Sequence, residues 1–240
     1  MERPKPQFLA TCMYDVDSDS YYTFLEFERH LYRVYWTDIS KLQCPPLPDF
    51  PAMPEGVRLE KVHMDRAMQD LLQQSTTIGC GADAMVRILD TDASFVVKCA
   101  FPTATARARL RHEYRMLEFM RELPLPVPRI IGDVLKDDHG MFAFRLPRLD
   151  QWQSNVQKDL GTAMQELATQ LHYYGICHND LRKANLMQTQ MSTPMLIDFG
   201  RSGIVGDPVP VYLKDGMPGD RVFGFEDDLE AIHLLLVDDA

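Results

Sequence analysis

Two short stretches decide the fold class, CHNDLRKANLM at Cys177–Met187 and LIDFG at Leu196–Gly200. Asp180 and Asn185 lie five residues apart in a loop predicted to follow a long helix, and Asp198 comes thirteen residues later, where an apolar strand ends. A carboxylate at a strand end beside a glycine suits a magnesium ligand. In the loop, one side chain would orient an acceptor hydroxyl while the other holds a metal ion. Together with a cation for the non-reacting phosphates, these are the parts that phosphoryl transfer requires.

An H-x-D-x-x-x-x-N segment followed by DFG resembles the catalytic loop and metal-binding motif of the protein-kinase-like superfamily, which includes protein kinases and the aminoglycoside and choline phosphotransferases. The resemblance implies that Asp180 is the catalytic base and that Asn185 and Asp198 bind Mg²⁺. It also implies that His178 supports the loop. Arg182, two residues after the base, would steady the transferred phosphate.

Segments upstream agree with this resemblance. In SFVVKCA, Lys98 resembles the strand lysine that contacts the α- and β-phosphates of ATP, and Glu113 resembles its partner on the next helix. Glu118 is the competing choice for that partner. Glu113 is preferred because Glu118 leaves the helix face shared by three apolar residues, Leu110, Leu117 and Met120. The resemblance thus implies ATP as the phosphoryl donor.

The segment IGCGADAMV resembles the glycine-rich loop of the superfamily. Gly79 and Gly81 would let the backbone approach the phosphates, and Val86 is counted with them among the nucleotide-binding residues. Ala84 replaces the usual third glycine, so the loop is a weak signal by itself.

FRLPRL resembles the hinge between two lobes, where backbone groups read the adenine edge. There Pro147 would offer its carbonyl, and Leu149 would offer both its N–H and its carbonyl. FEDDLEAIHLLL resembles the helix after the activation segment, and its Asp228 would anchor the backbone of the catalytic loop.

The predicted fold class is α+β, a two-lobed protein-kinase-like fold with a truncated C-lobe and a β-rich N-terminal extension. The predicted domains are the extension with its proline-rich linker at residues 1–56, the N-lobe at 57–149 and the short C-lobe at 150–240.

Local patterns predict the individual elements. Gln7–Thr37 predicts a meander of short strands with a turn at DVDSDS, and the prolines of Cys44–Pro54 predict an extended linker. Four further strands are predicted, at Leu71–Ile78, Met85–Leu89, Ser94–Ala100 and Met141–Leu149. Three helices are predicted, at Thr105–Leu123, Ser154–Tyr174 and Phe225–Val237. LMQT and PMLIDFG predict a short hairpin.

Composition excludes several classes of partner. A formal net charge of −10 and a pI near 5.1 argue against nucleic acid or an anionic membrane, which both select basic surfaces. The five cysteines are scattered and never in CxxC spacing, so no disulfide framework or zinc site is expected. The N-terminus lacks the apolar region of a signal peptide, and no apolar run is long enough to span a membrane. A reducing, cytoplasmic location is therefore expected.

Two departures from the superfamily pattern bear on the acceptor. Asn179 stands where many regulated protein kinases have arginine, which argues against control by phosphorylation of the activation loop. The chain stops about one helix after Asp228, and no APE-type element precedes that helix, which weakens the case for an ordinary protein kinase.

Three functions follow from the sequence. An ATP- and Mg²⁺-dependent phosphotransferase acting on Ser or Thr of a protein is favoured by the segment LRKAN after Asp180. A small-molecule phosphotransferase on the same scaffold is favoured by the short C-lobe. A nucleotide-binding pseudokinase scaffold would bind ATP without turnover, although the lysine, the base and the metal-binding aspartate are all present.

Overall fold

The computed structural model describes residues 5–9, 13–15, 19–37, 44, 46–47, 50–153, 157–214 and 220–237. The chain divides into two compact units. The first consists of Met1–Arg107 with Val134–Ala143, and the second of Ala108–Asp133 with Phe144–Ala240.

An antiparallel sheet begins the first unit. Its strands are β1 (Gln7–Phe8), β2 (Met13–Asp15), β3 (Ser20–Phe27), β4 (His30–Trp36) and β5 (Val57–Lys61). β3 pairs with β1, β2 and β4, and β5 pairs with β4. Glu28 and Arg29 turn the chain between β3 and β4 with positive φ angles of 48° and 60°, as a tight hairpin requires. The predicted meander is confirmed where the chain is described. Part of the predicted DVDSDS turn, residues 16–18, lies outside the described residues.

Side chains from the proline-rich segment cover one face of this sheet. Leu47 is buried against Leu25 of β3 and Val34 of β4. Three more residues of the segment pack on the same cluster, Cys44, Phe50 and Met53. The described part of the segment is therefore packed into the fold rather than a free linker, because its apolar side chains remove this face of the sheet from water.

The strand predicted over Leu71–Ile78 is wrong in its first half. Helix α1 (Arg66–Gln73) occupies that half, and strand β6 (Ser75–Cys80) begins only after it. Met68, Leu71 and Leu72 are buried at helical spacing, and the Ser75 hydroxyl donates to the Leu71 carbonyl at the helix end. Leu71 and Leu72 thus belong to the buried face of α1 and not to the strand that follows it.

The glycine-rich segment belongs to a second sheet. β6 is followed by β7 (Ala84–Leu89), β8 (Asp92–Ala100), β9 (Ile131–Asp137) and β10 (Gly140–Pro147), and the spatial order is β6-β7-β8-β10-β9. Strands β7, β8 and β10 confirm the sequence predictions, whereas β5 and β9 were not predicted. Within the first unit, the stacked rings of Phe24 and Phe101 lie 4.3 Å apart and join the N-terminal sheet to this one.

Helix α2 (Ala104–Phe119) follows β8 and confirms the predicted helix. The hydroxyl of Thr103 accepts a 3.1 Å hydrogen bond from the Ala106 amide, which caps the helix start. A single 3₁₀ turn at Met120–Glu122 extends α2.

The second unit is built around helices α3 (Gln157–Tyr173) and α4 (Glu226–Val237), both close to their predicted positions. Residues 154–156 of the predicted α3 lie outside the described residues. Gly161 of α3 lies against Leu236 of α4, where a methyl group would contact the leucine side chain at 2.7 Å. The glycine therefore permits close packing of the two helices.

Short strands complete the second unit. β11 (Asp150–Gln151), β13 (Leu186–Gln188) and β14 (Pro194–Leu196) form one small sheet, and β12 (Ile176–Cys177) pairs with β15 (Gly203–Ile204). The antiparallel pair β13–β14 confirms the predicted hairpin.

No helix in the described part of the chain is long and apolar enough to cross a membrane. Four cysteines in that part have free thiols, Cys44, Cys80, Cys99 and Cys177.

Candidate active site

Asp228 holds the start of the loop that carries Asp180. It is fully buried at the first turn of α4, and its carboxylate accepts hydrogen bonds from the backbone amides of His178 (2.8 Å) and Asn179 (2.7 Å). The His172 ring of α3 lies 2.9 Å from the same carboxylate. The predicted anchoring role of Asp228 is thus confirmed, and His172 is an additional partner that the sequence did not reveal.

Asn185 fixes the carboxylate of Asp180. Its side-chain amide donates to the Asp180 carbonyl at 2.8 Å and to Asp180 Oδ2 at 2.9 Å. Arg182 Nε lies 3.3 Å from the same Oδ2, with its side chain more than half exposed. The short spacing of the motif therefore places the Asn185 amide and the Arg182 guanidinium beside the carboxylate of Asp180, the candidate base.

The β13–β14 hairpin brings Asp198 to this loop. Leu186 pairs with Leu196, and the Ile197 amide donates to the Asn185 carbonyl at 3.0 Å, so Asp198 follows directly after the contact with Asn185. Asp198 adopts a left-handed conformation with φ 67° and ψ 64°, which is uncommon outside glycine.

The buried ring of His178 supports the end of β14, the strand that leads to Asp198. Its ring is fully buried, lies 3.0 Å through Nε2 from the Ile197 carbonyl, and packs on Phe199 at 4.8 Å. Burial lowers the pKa of His178, so the neutral ring donates through Nε2 to the carbonyl. The predicted supporting role of His178 fits this geometry.

Oxygen ligands suited to a magnesium ion are available here. Both bonds of Asn185 use its amide nitrogen, so its amide oxygen is the atom that would bind a cation, together with the Asp198 carboxylate. The described residues contain no cluster of three or more His, Cys, Asp or Glu side chains with metal-binding geometry. Magnesium commonly takes one or two protein ligands and completes its shell with water and phosphate oxygens, so the donor set fits that ion.

In the first unit, the predicted phosphate-binding residues lie in one row across the sheet. Gly79 of β6 pairs with Val86 of β7, and Val86 pairs with Lys98 of β8. Directly paired residues face the same side of a sheet, so the three positions share one face. The Gly81 amide donates to the Ala84 carbonyl at 2.8 Å and closes the turn between β6 and β7.

Internal packing does not explain either glycine of this turn. A methyl group on Gly79 would meet nothing nearer than the Val86 Cβ at 3.9 Å, and one on Gly81 nothing nearer than the Ala84 carbonyl at 4.0 Å. Neither residue has a positive φ. Both positions would therefore accept a methyl group without a clash, and the backbone without side chains there permits close approach of a ligand.

Glu113 and the predicted hinge residues belong to the second unit. Glu113 is 3% exposed, on the buried side of α2, whereas the Glu118 side chain is 37% exposed. Its pairing with Lys98 stays a prediction. Pro147 ends β10, and Leu149 lies in the short link to β11.

Sequence reasoning missed a cluster centred on His112. Its ring lies 2.7 Å through Nε2 from the Ser202 carbonyl and 3.4 Å through Nδ1 from the Tyr212 hydroxyl. Arg109, one turn earlier on α2, donates from Nε to the Tyr212 carbonyl at 2.8 Å. Burial lowers the pKa of His112, so a single neutral tautomer serves both contacts. The helical spacing of Arg109 and His112 was the available signal.

A family model described as a phosphotransferase enzyme family matches residues 76–174. This range contains Gly79, Gly81, Val86, Lys98 and Glu113, and it ends before the segment Cys177–Met187. No curated protein matches the chain. The resemblance drawn from the sequence is thereby confirmed over residues 76–174, where the chain is similar to the phosphotransferase enzyme family.

Proposed function

We propose that this protein transfers the γ-phosphoryl group of ATP to a hydroxyl acceptor, with Mg²⁺ as the metal ion. The arrangement of Asp180, Asn185 and Asp198 carries the proposal. The Asn185 amide holds the Asp180 carboxylate at 2.9 Å, and the hairpin register delivers Asp198 next to the backbone of Asn185. The match to the phosphotransferase enzyme family supports the same class of reaction.

In the proposed reaction, Asp180 orients the acceptor hydroxyl and takes its proton. The acceptor oxygen bonds to the γ-phosphorus as the bond from that phosphorus to the bridging oxygen of ADP breaks. Arg182 would steady the charge on the transferred group. The amide oxygen of Asn185 and the carboxylate of Asp198 would hold Mg²⁺, which supplies positive charge to the phosphates.

The donor half of the proposal rests on the row of Gly79, Val86 and Lys98. Lys98 would neutralise the non-reacting phosphates, while the bare backbone at Gly79 and Gly81 admits them closely. Glu113 keeps its proposed role as the partner of Lys98. The backbone groups of the two predicted hinge residues, Pro147 and Leu149, would form hydrogen bonds with the adenine.

A protein acceptor and a small-molecule acceptor share this chemistry. The LRKAN segment favours Ser or Thr of a protein, whereas the description of the matched family names no acceptor. A cell extract divided by ultrafiltration into macromolecules and small metabolites, then incubated with γ-labelled ATP, separates them. Label that depends on the protein enters the large fraction in the first case and the small fraction in the second.

The same assay tests the proposal against a nucleotide-binding scaffold. Wild type and Asp198→Ala are compared with and without Mg²⁺. The proposal expects label transfer only with wild type and metal. Nucleotide-dependent stabilisation without transfer in any fraction would instead support the scaffold.

A further inference from the structure

A buried polar cluster in the first unit joins the N-terminal sheet to the glycine-rich hairpin. Arg87 of β7 is 0% exposed, and its guanidinium forms two parallel bonds with the carboxylate of Glu26 on β3, at 2.8 Å and 3.0 Å. Its Nε also donates to the Ser75 hydroxyl at 2.7 Å. A fork-to-carboxylate pair is the most geometrically restrictive ion pair, so it fixes β3 against β6 and β7.

Thr77 of β6 closes a triangle with this ion pair. Arg87 Nη1 donates to the Thr77 hydroxyl at 2.5 Å, and that hydroxyl donates to Glu26 Oε2 at 2.7 Å. Burial by itself would raise the pKa of Glu26, but the bonds from Arg87 and Thr77 hold it below its ordinary value. The carboxylate is therefore ionised when the triangle is formed.

The triangle lies where the strand register changes. Thr77 pairs with Arg87, but Gly79 pairs with Val86, so Ile78 is the extra residue of a β-bulge. In a regular strand Thr77 and Gly79 would face the same side of the sheet. Across the bulge, Thr77 faces the buried triangle while Gly79 shares the opposite face with Val86. The triangle therefore holds Thr77, the residue just before the bulge, and the bulge decides which face of the sheet Gly79 lies on.

We propose that Glu26 is a positioning residue for the phosphate-binding hairpin, acting through Arg87 and Thr77 on the bulge that orients Gly79 and Gly81. The N-terminal sheet then belongs to the nucleotide-binding machinery rather than being an added module. The effect on ATP rests on the proposed function, whereas the effect on the hairpin does not.

Glu26→Gln tests the coupling because it keeps the shape of the side chain and removes its charge. Hydrogen–deuterium exchange is measured on peptides covering Thr76–Val86 without nucleotide, and ATP affinity is measured by titration. The expected results are about 10-fold faster exchange in the hairpin and about 10-fold weaker ATP binding, with α4 peptides unchanged. Unchanged hairpin exchange would overturn the proposal. A wild-type protein that does not bind ATP would contradict the proposed function alone, because the effect on hairpin exchange does not depend on nucleotide.

Asp90→Asn is the matched control. Asp90 pairs with Arg29 at 2.6 Å and joins the same two sheets at the other end of β7, away from the glycine turn. Its side chain is 41% exposed. Exchange in the hairpin and ATP affinity should stay within about twofold of wild type, as expected for an exposed pair. A change as large as that of Glu26→Gln would show that any link between the sheets suffices, and would overturn the special role of Glu26.

Two further variants separate positioning from stability. The double variant Glu26→Leu with Arg87→Met replaces the buried pair with apolar side chains, a change that folds stably in other proteins. Thr77→Val keeps the ion pair and removes the hydroxyl. Both should raise hairpin exchange and weaken ATP binding, Thr77→Val by about tenfold, because the hydroxyl's two hydrogen bonds, one with Arg87 and one with Glu26, are lost. A stable double variant with wild-type exchange and ATP affinity would show that the cluster only holds the sheets together.

Discussion

At the scale of single residues, the glycines of the β6–β7 turn are the most informative. Neither Gly79 nor Gly81 is required by backbone conformation, and neither is required by packing, since a Cβ at either position would make only an ordinary van der Waals contact. Gly161 differs, because a methyl group there would press on Leu236. A glycine that packing does not need is explained by what approaches it from outside, and under the proposed function that would be the phosphates of ATP.

Gly79→Ala and Gly81→Ala should therefore separate stability from binding. Free energies of unfolding should stay within about 1 kcal/mol of wild type or rise slightly, because alanine reduces the entropy of the unfolded chain. ATP affinity should fall about 10-fold, as the methyl group blocks close approach of the backbone. Denaturant titration and nucleotide titration measure the two quantities. Destabilised variants with normal ATP affinity would reverse this interpretation.

Asp228 shows the opposite case, a buried charge whose role is to hold backbone. Asp228→Ala would leave the amides of His178 and Asn179 without their acceptor, at a cost of roughly 2–4 kcal/mol of unfolding free energy. Asp227→Ala is the control, because the neighbouring Asp227 side chain is 56% exposed and lies 3.7 Å from Arg221. The control should change stability by less than about 0.5 kcal/mol. Equal effects in chemical denaturation would contradict the anchoring role.

At the scale of elements, α2 carries two adjacent buried residues, Glu113 and His112, with different proposed roles. Glu113 lies on its buried face, and the adjacent His112 binds the backbone four residues after Asp198, at Ser202. The helix that carries a proposed nucleotide-site residue is thus tied, within the second unit, to the segment that follows Asp198, the proposed metal ligand. A displacement of α2 would therefore also displace the segment around Ser202, and a displacement of that segment would displace α2.

His112→Leu should lower the unfolding free energy by about 1–3 kcal/mol, because the buried Ser202 carbonyl loses its donor. The turnover number should fall together with stability, since the segment after Asp198 is no longer held. His233→Leu, at an exposed position of α4, is the control and should change stability by less than about 0.5 kcal/mol. A stable His112→Leu with wild-type turnover would show that the contact is incidental.

Sequence patterns predicted the elements that carry strong local signals. α2, α3, α4 and the β13–β14 hairpin follow from helical spacing and from turn residues between apolar runs. The strand at Leu71–Ile78 failed because a short apolar run does not distinguish a helix end from a strand start. β9 was missed because its residues are mostly exposed and give no alternating pattern.

The site was predictable where spacing along the chain fixes geometry. Asp180 and Asn185 are joined by five residues of loop, so their hydrogen bonds follow from the motif. The triangle of Glu26, Thr77 and Arg87 was not predictable, because its members lie far apart in sequence and each alone reads as a surface residue. Tertiary packing alone brings such residues together.

At the scale of the whole molecule, two buried histidines make stability depend on pH. Burial lowers the pKa of both His112 and His178 from the ordinary value of 6.5. The unfolded chain therefore binds protons at a pH where the folded chain does not. Their contribution to stability is present above pH 6.5 and is lost as the pH falls below it.

Unfolding free energy should accordingly decrease between about pH 7.5 and pH 5.5. His112→Gln should reduce that slope, removing up to about one proton taken up on unfolding, because one of the two histidines is gone. His139→Gln, which removes an exposed ring, is the control. Chemical denaturation at a series of pH values measures all three. An unchanged slope in His112→Gln would show that this ring does not stay neutral in the fold.

ATP turnover by Asp180→Asn tests the central claim most directly. The variant keeps the size of the side chain and removes the proposed proton acceptor, while the residues proposed to contact ATP and Mg²⁺ are unchanged. The account predicts at least a 100-fold loss of turnover number, on the order of magnitude of general-base catalysis, with ATP affinity within about threefold of wild type. Wild-type turnover in Asp180→Asn would contradict the proposed mechanism.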